Sequence, residues 1–211
     1  MIHSFNTTNT ATTTTMSVEL PPAVKIFNLV TAEWVSSCLK AAVLLRIPDY
    51  LKEEDGPQTP EQLAKNAGVD ANNLHIVLRV LAGAGIFTEH ASEGRYSHNA
   101  ESKELLSSVR GNSYTLVKMF AQESFVLPWH PEQAAECIRT GHRSFSKIFN
   151  GDDFWAYMDK RPDQRALFWD TMECTSSNFH TAILGAYDFS SIKKIIDVGG
   201  GKTDLIANGK N

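Results

Sequence analysis

Between Thr59 and Gly85 the chain punctuates itself more tightly than anywhere else, and that stretch restricts the fold most. Thr59 can cap a helix, Pro60 suits a first helical turn, and Gln62 stands three residues after the cap, where its side chain can close a capping box. The spacing predicts a short helix to about Ala67, a turn at Gly68 and Val69, and a second helix capped by Asp70. Leu74, Val77, Leu78 and Leu81 give that second helix a buried stripe, and Gly83 and Gly85 stop it. Two β-like runs, Ile86 to Glu89 and Arg95 to His98, flank His90-Ala91-Ser92-Glu93-Gly94 and predict a hairpin. Helix, turn, helix and hairpin in this order make a winged-helix arrangement.

Charge decides what such an arrangement is for. A helix that reads DNA offers Arg or Lys to phosphates and base edges. Between Pro60 and Ala84 the basic residues are Lys65 and Arg79, set against Glu61 and Asp70. From Ala23 to Arg110 nine basic residues face eleven acidic ones, and the whole chain carries a formal net charge of −4. Nucleic-acid binding is therefore disfavoured, and the region reads as a packing or dimer module.

The flanks read as helical. From Ala23 to Leu45 apolar residues fall at Ile26, Phe27, Val30, Trp34, Cys38, Ala41, Ala42 and Leu45, a helical spacing that Pro48 is expected to end. A face this large either packs deep in its own domain or meets a second subunit, and both readings stand. The stretch from Leu116 to Phe154 is predicted helical and rich in rings, with Phe120, Phe125, Trp129, Phe145, Phe149 and Phe154 followed by Trp155 and Tyr157. Such density reads as core. A longer helix is expected from about Asp163 to Tyr187, with Phe168, Met172, Phe179 and Ile183 on one stripe that Thr175 and Ser176 interrupt; on sequence alone these hydroxyls read as packing.

Other function classes are disfavoured. Apolar runs such as Ala41 to Leu45 fall far short of the roughly 18 residues of a membrane span. Cys38, Cys137 and Cys174 are scattered, without C-x-x-C spacing, so neither a disulfide framework nor a thiolate metal site is predicted and a cytoplasmic location fits best. The first 16 residues lack Arg and Lys and show no signal pattern, while Asn6 to Thr15 is a Thr-rich segment that reads as a disordered tail. His130, His142 and His180 read as structural or exposed, and His130-Pro131-Glu132 has no P-C-x-x-C after it to complete a zinc deaminase pattern.

The sharpest chemical signal is Ile195-Ile196-Asp197-Val198-Gly199-Gly200-Gly201, a β-branched run meeting consecutive glycines. Gly201-Lys202-Thr203 imitates the end of a phosphate loop, but Ile196 occupies the position of that loop's first glycine. Asp204 likewise stands where a dinucleotide fingerprint needs its third glycine. What remains is the D-x-G-x-G type of loop used for S-adenosylmethionine.

With that loop the chain resembles the plant-type, metal-independent O-methyltransferases of the caffeic acid O-methyltransferase family. The resemblance runs from about Phe27 to Gly201. It rests on the long first helix, the winged helix with Leu-Arg-Val-Leu-Ala-Gly-Ala-Gly-Ile-Phe, the Tyr96 strand, Trp129, Phe154-Trp155-Ala156-Tyr157, Phe168-x-x-x-Met172 and Asp197-Val-Gly-Gly-Gly. It implies a mainly α fold: a winged-helix dimerisation domain with a helical extension, followed by the truncated start of a Rossmann-like α/β methyltransferase domain. The expected divisions are a tail at 1–19, the dimerisation domain at 20–110, a helical acceptor-pocket region at 111–188 and a cofactor-domain stub at 189–211. It also implies S-adenosylmethionine as cofactor and a homodimer, or a heterodimer with full-length relatives. Phe168 and Met172 fall where the family lines its acceptor pocket, and Thr175 stands where plant members often carry His. Ser176 falls on the cofactor's carboxylate end and Gly199, Gly200 and Gly201 on its loop.

Two departures shape the functional expectation. Thr203 replaces the last glycine of the family's loop, and a β-branched residue there crowds close ligand approach. The family's general base, a His, comes later than any residue of this chain, so no catalytic residue is assigned and the chain is expected to be inactive by itself, with a regulatory pairing to full-length O-methyltransferases as the alternative. The lone strand Ile192 to Val198 lacks a ladder partner, so Ser190 to Asn211 is expected to be weakly held.

Overall fold

The computed structural model describes residues 20–109 and 111–192, together with 194 and 196. The Thr-rich tail and the loop glycines Gly199, Gly200 and Gly201 lie outside the described residues, as does most of the 190–211 segment. The chain divides into two compact units, Met1–Glu33 and Trp34–Asn211, and the boundary falls inside the first helix, α1 (Pro22–Leu44).

The core of the second unit grows from the punctuated segment. Helix α3 (Pro60–Ala67) begins with the expected box: Gln62 N donates to Thr59 Oγ1 at 3.4 Å and Thr59 N to Gln62 Oε1 at 2.9 Å. Gly68 takes the left-handed conformation, φ 68°, that closes the helix. Asp70 caps α4 (Ala71–Gly83) by accepting from Asn73 N at 2.9 Å. Leu74, Leu78 and Leu81 are buried, with Val77 half-buried beside them, and they join Ala42, Ile47, Leu51, Leu63, Phe87 and Tyr96 in one cluster. Each fully buried leucine here contributes about 2 kcal/mol.

A two-stranded antiparallel hairpin follows, β1 (Thr88–His90) with β2 (Arg95–Ser97), pairing Glu89 with Tyr96. Gln58 adds a bridge on the other side of Tyr96 through two backbone hydrogen bonds of 2.9 and 2.8 Å. The Tyr96 hydroxyl donates to Glu89 Oε1 at 3.1 Å, and burial, reinforced by that carboxylate, pushes its pKa up to about 12.

Two boundaries differ from the sequence expectation. Pro48 does not end the first helix: α1 stops at Leu44, Arg46 turns left-handed at φ 56°, and Pro48 sits in the first turn of a short helix, α2 (Ile47–Tyr50). The first strand starts at Thr88 rather than Ile86, because buried Phe87 holds φ 100° and breaks the extended run.

The segment beyond the hairpin is a relay of short helices: α5 (Ala100–Lys103), α6 (Tyr114–Phe120), α7 (Glu123–Val126), α8 (Pro131–Thr140), α9 (Ser144–Ile148) and α10 (Phe154–Asp159). A 3-10 turn, Leu127–Trp129, precedes α8. Left-handed Gly141, Asn150 and Gly151 cut the stretch that periodicity alone read as continuous. The long helix α11 (Pro162–Ala186) then packs along α6 and α10. No described helix is long and apolar enough to cross a membrane.

Candidate functional site

Helix α11 gathers the nominated pocket residues on one face. At 3.6 residues per turn Phe168, Met172, Thr175 and Ser176 share a stripe, which Phe179 and Ile183 continue toward the helix end. Phe168 and Met172 are half-buried, Thr175 is exposed and Ser176 half-buried. Phe179 and Ile183 lie open, at 66% and 43% exposure. The stripe is thus rooted in protein at its start and uncovered at its end.

Rings fix that root. Phe168 stands edge-on to Phe154 at 5.3 Å and to Trp155 at 5.7 Å, while Trp155 stacks on Trp169 at 6.0 Å. Phe154 in turn meets Phe125 at 6.0 Å and Phe145 at 5.7 Å. Of the rings read as core only Tyr157 is buried: Phe125, Phe145, Phe149 and Phe154 are half-buried, and Phe120, Trp129 and Trp155 are exposed. Below this layer buried Tyr157 donates to Glu123 Oε1 at 2.7 Å and carries the Arg161 guanidinium 3.7 Å from its ring centroid. Burial, with Glu123 behind it, holds the Tyr157 phenol above its ordinary pKa.

The hydroxyls of α11 are partly committed. Thr171 Oγ1 donates to Leu167 O and Thr175 Oγ1 to Thr171 O, both at 2.8 Å. Thr175 therefore keeps a lone pair to offer and no free proton, and as an alcohol it is no base. Gln164, one turn before Phe168 on the same stripe, has its Oε1 buried without a hydrogen-bond partner among the described residues. Its i, i+4 spacing from Phe168 was the signal available in the sequence. On another face of α11, Asp170, Glu173 and Cys174 border a cavity of about 310 Å³ with Tyr114 and Thr115. No group of His, Cys, Asp and Glu among the described residues could hold a metal ion. His130 and His142 are exposed on either side of α8.

The latch that sequence reading missed is His98. Pro48 O can only accept, so His98 Nε2 donates to it at 3.1 Å and Nδ1 accepts from Ser102 Oγ at 2.8 Å. Burial lowers the His98 pKa below its ordinary value of 6.5.

Family models match this framework in two places. The O-methyltransferase dimerisation domain covers residues 27–108, and the O-methyltransferase domain covers residues 132–209. The chain belongs to the O-methyltransferase family. Among its similar relatives is the mitomycin biosynthesis 6-O-methyltransferase of Streptomyces lavendulae, 33% identical over 82% of this chain and 48% of the relative. Another is the phenazine-1-carboxylate N-methyltransferase of Pseudomonas aeruginosa, also 33% identical, over 88% of this chain and 53% of the relative. The solved structure of LaPhzM superposes with a TM-score of 0.77 at 28% identity, over 90% of this chain and 55% of that one. The SAH-bound methyltransferase CalO1 of calicheamicin biosynthesis superposes at 0.75 with 27% identity, over 90% and 56%. The chain spans about half the length of the relatives it matches. Its first half is the family's helical dimerisation domain, and the helices from α8 to α11 fall within the match to its partial methyltransferase domain.

Proposed function

We propose that this chain supplies the dimerising and acceptor-facing half of an S-adenosylmethionine-dependent methyltransferase acting on a small-molecule hydroxyl. The carrying observation is the stripe on α11. Phe168 and Met172, rooted in the ring cluster, offer an apolar wall to a flat acceptor, and Thr175 offers a lone pair beside it. Relatives named as the 6-O-methyltransferase of mitomycin biosynthesis and as the phenazine O-methyltransferase PhzM of Lysobacter antibioticus support an acceptor of that kind.

When bound, S-adenosylmethionine supplies an electrophilic methyl group on its sulfonium. Of the residues assigned to it, Ser176 lies among the described residues, one turn beyond Met172 and half-buried, where its hydroxyl suits the polar end of the cofactor. Gly199, Gly200 and Gly201 would form the loop. The work of the described residues is to orient the acceptor and to exclude water from one side of it. The general base belongs to the family's later segment, so none of the described residues is assigned that role.

The same reading makes α1 the dimer helix. Phe27, Val30 and Trp34 are exposed at 63%, 67% and 67%, an apolar face of the kind a second copy covers. That face also permits a regulatory pairing with a longer relative. Residues 1–201 fused to the remaining half of the Streptomyces lavendulae relative test the proposal. The fusion should move a labelled methyl from S-adenosylmethionine to a phenolic acceptor while the 211-residue chain does not. A folded fusion that binds the cofactor yet methylates no hydroxylated aromatic would overturn it.

A further inference from the structure

Away from the α11 stripe, the 3-10 turn and helices α8 and α9 enclose an apolar groove of about 320 Å³ between Pro128, Trp129, Cys137, Ile138, Arg143 and Phe145. Trp129 and Ile138 stand at its lip, 78% and 86% exposed. Its lining includes one cation, Arg143, and no acid. On α8, Glu136 is engaged by Arg139. Arg143 forms no ion pair among the described residues.

We propose that this groove binds an aromatic carboxylate. The inference goes beyond methyl transfer and does not depend on it. Trp129 and Phe145 offer ring faces and edges to a flat apolar body, and Cys137 and Ile138 complete its apolar surroundings. Arg143 presents a planar fork of donors to an anion, which Lys would meet only as a point charge. Size favours a small molecule over a macromolecule: the volume lies at the lower end of the roughly 300–1,000 Å³ of ligand sites, whereas a stable protein interface takes about 800 Å² from each partner. The groove's wall also joins the ring cluster, since Phe145 contacts Phe154 and Phe154 contacts Phe168.

The probe is 2-naphthoate, compared with neutral 2-naphthamide, on the full 211-residue chain. The readout is the alkylation rate of Cys137 resolved by mass spectrometry, with Cys38 and Cys174 as references on the same molecule. Naphthoate should slow Cys137 alkylation saturably and leave Cys38 unchanged. Arg143→Gln should weaken naphthoate about tenfold, the scale of a lost charged hydrogen bond, and leave naphthamide unaffected. Ile138→Glu, at the exposed lip, should abolish protection without unfolding the chain. Equal protection by naphthamide, or indifference to Arg143→Gln, would overturn the proposal. Protection that follows protein concentration rather than naphthoate would instead assign the groove to a second copy.

Discussion

Phe154 meets Phe168 edge-on, with ring centroids 5.3 Å apart and planes at 65°. One ring lies on α10 and the other on α11, so this contact sets where the α11 stripe begins. Phe154 also holds Phe125, Phe145 and Trp155, which makes it the hub of the cluster.

Phe154→Ala should therefore cost about 2 kcal/mol, below the range for a fully buried phenylalanine because Phe154 is half-buried. Phe154→Leu should recover about half of that. Urea denaturation of the 211-residue chain followed by circular dichroism measures both.

Tyr157→Phe tests the polar anchor beneath the rings. It removes the hydrogen bond to Glu123 and keeps the ring under Arg161, so the loss should be about 1 kcal/mol. Arg161→Met should lose a similar amount by removing the cation from the ring face. Thermal melts of the two single variants and the double variant separate these contributions.

His98 gives the fold an acid sensitivity of known sign. Its folded pKa lies below the unfolded 6.5, so the unfolded chain binds the extra proton more readily. The stability contribution is complete above pH 6.5 and declines as pH falls from there through the folded pKa. The groups facing it are Ser102, Pro48 O, Glu53 and Lys103, of which Glu53 and Lys103 pair with each other at 2.5 Å. His98→Gln should flatten the slope of stability against pH between about 7 and 5, read from urea midpoints at each pH.

On α1, Phe27→Glu combined with Val30→Glu should convert a dimer to a monomer without altering the melting of the core unit, because both side chains are already exposed in the single chain. Sedimentation equilibrium and calorimetry on the same samples check the two halves of that statement.

How much of this was legible depended on how local the cause was. Thr59, Gln62, Gly68 and Asp70 act on their own helix ends, so sequence spacing located α3 and α4 closely. Pro48 and Phe87 misled because what fixes them is distant: Pro48 O receives His98 from 50 residues on, and Phe87 holds its left-handed backbone inside a core assembled from five elements and their connections. The ring cluster was visible as composition, yet its partition into a held root and an exposed Trp129 required the fold. The stripe on α11 was legible by periodicity alone, and its meaning came from the family pattern rather than from spacing.

The central claim is that the α11 stripe faces the acceptor. The most direct measurement is the acceptor KM and the S-adenosylmethionine affinity of the fusion protein carrying Phe168→Ala. The account predicts an acceptor KM raised about tenfold or more, from the lost apolar contact, with cofactor affinity unchanged. A folded, active variant whose acceptor KM does not move, or whose cofactor affinity falls instead, would contradict it.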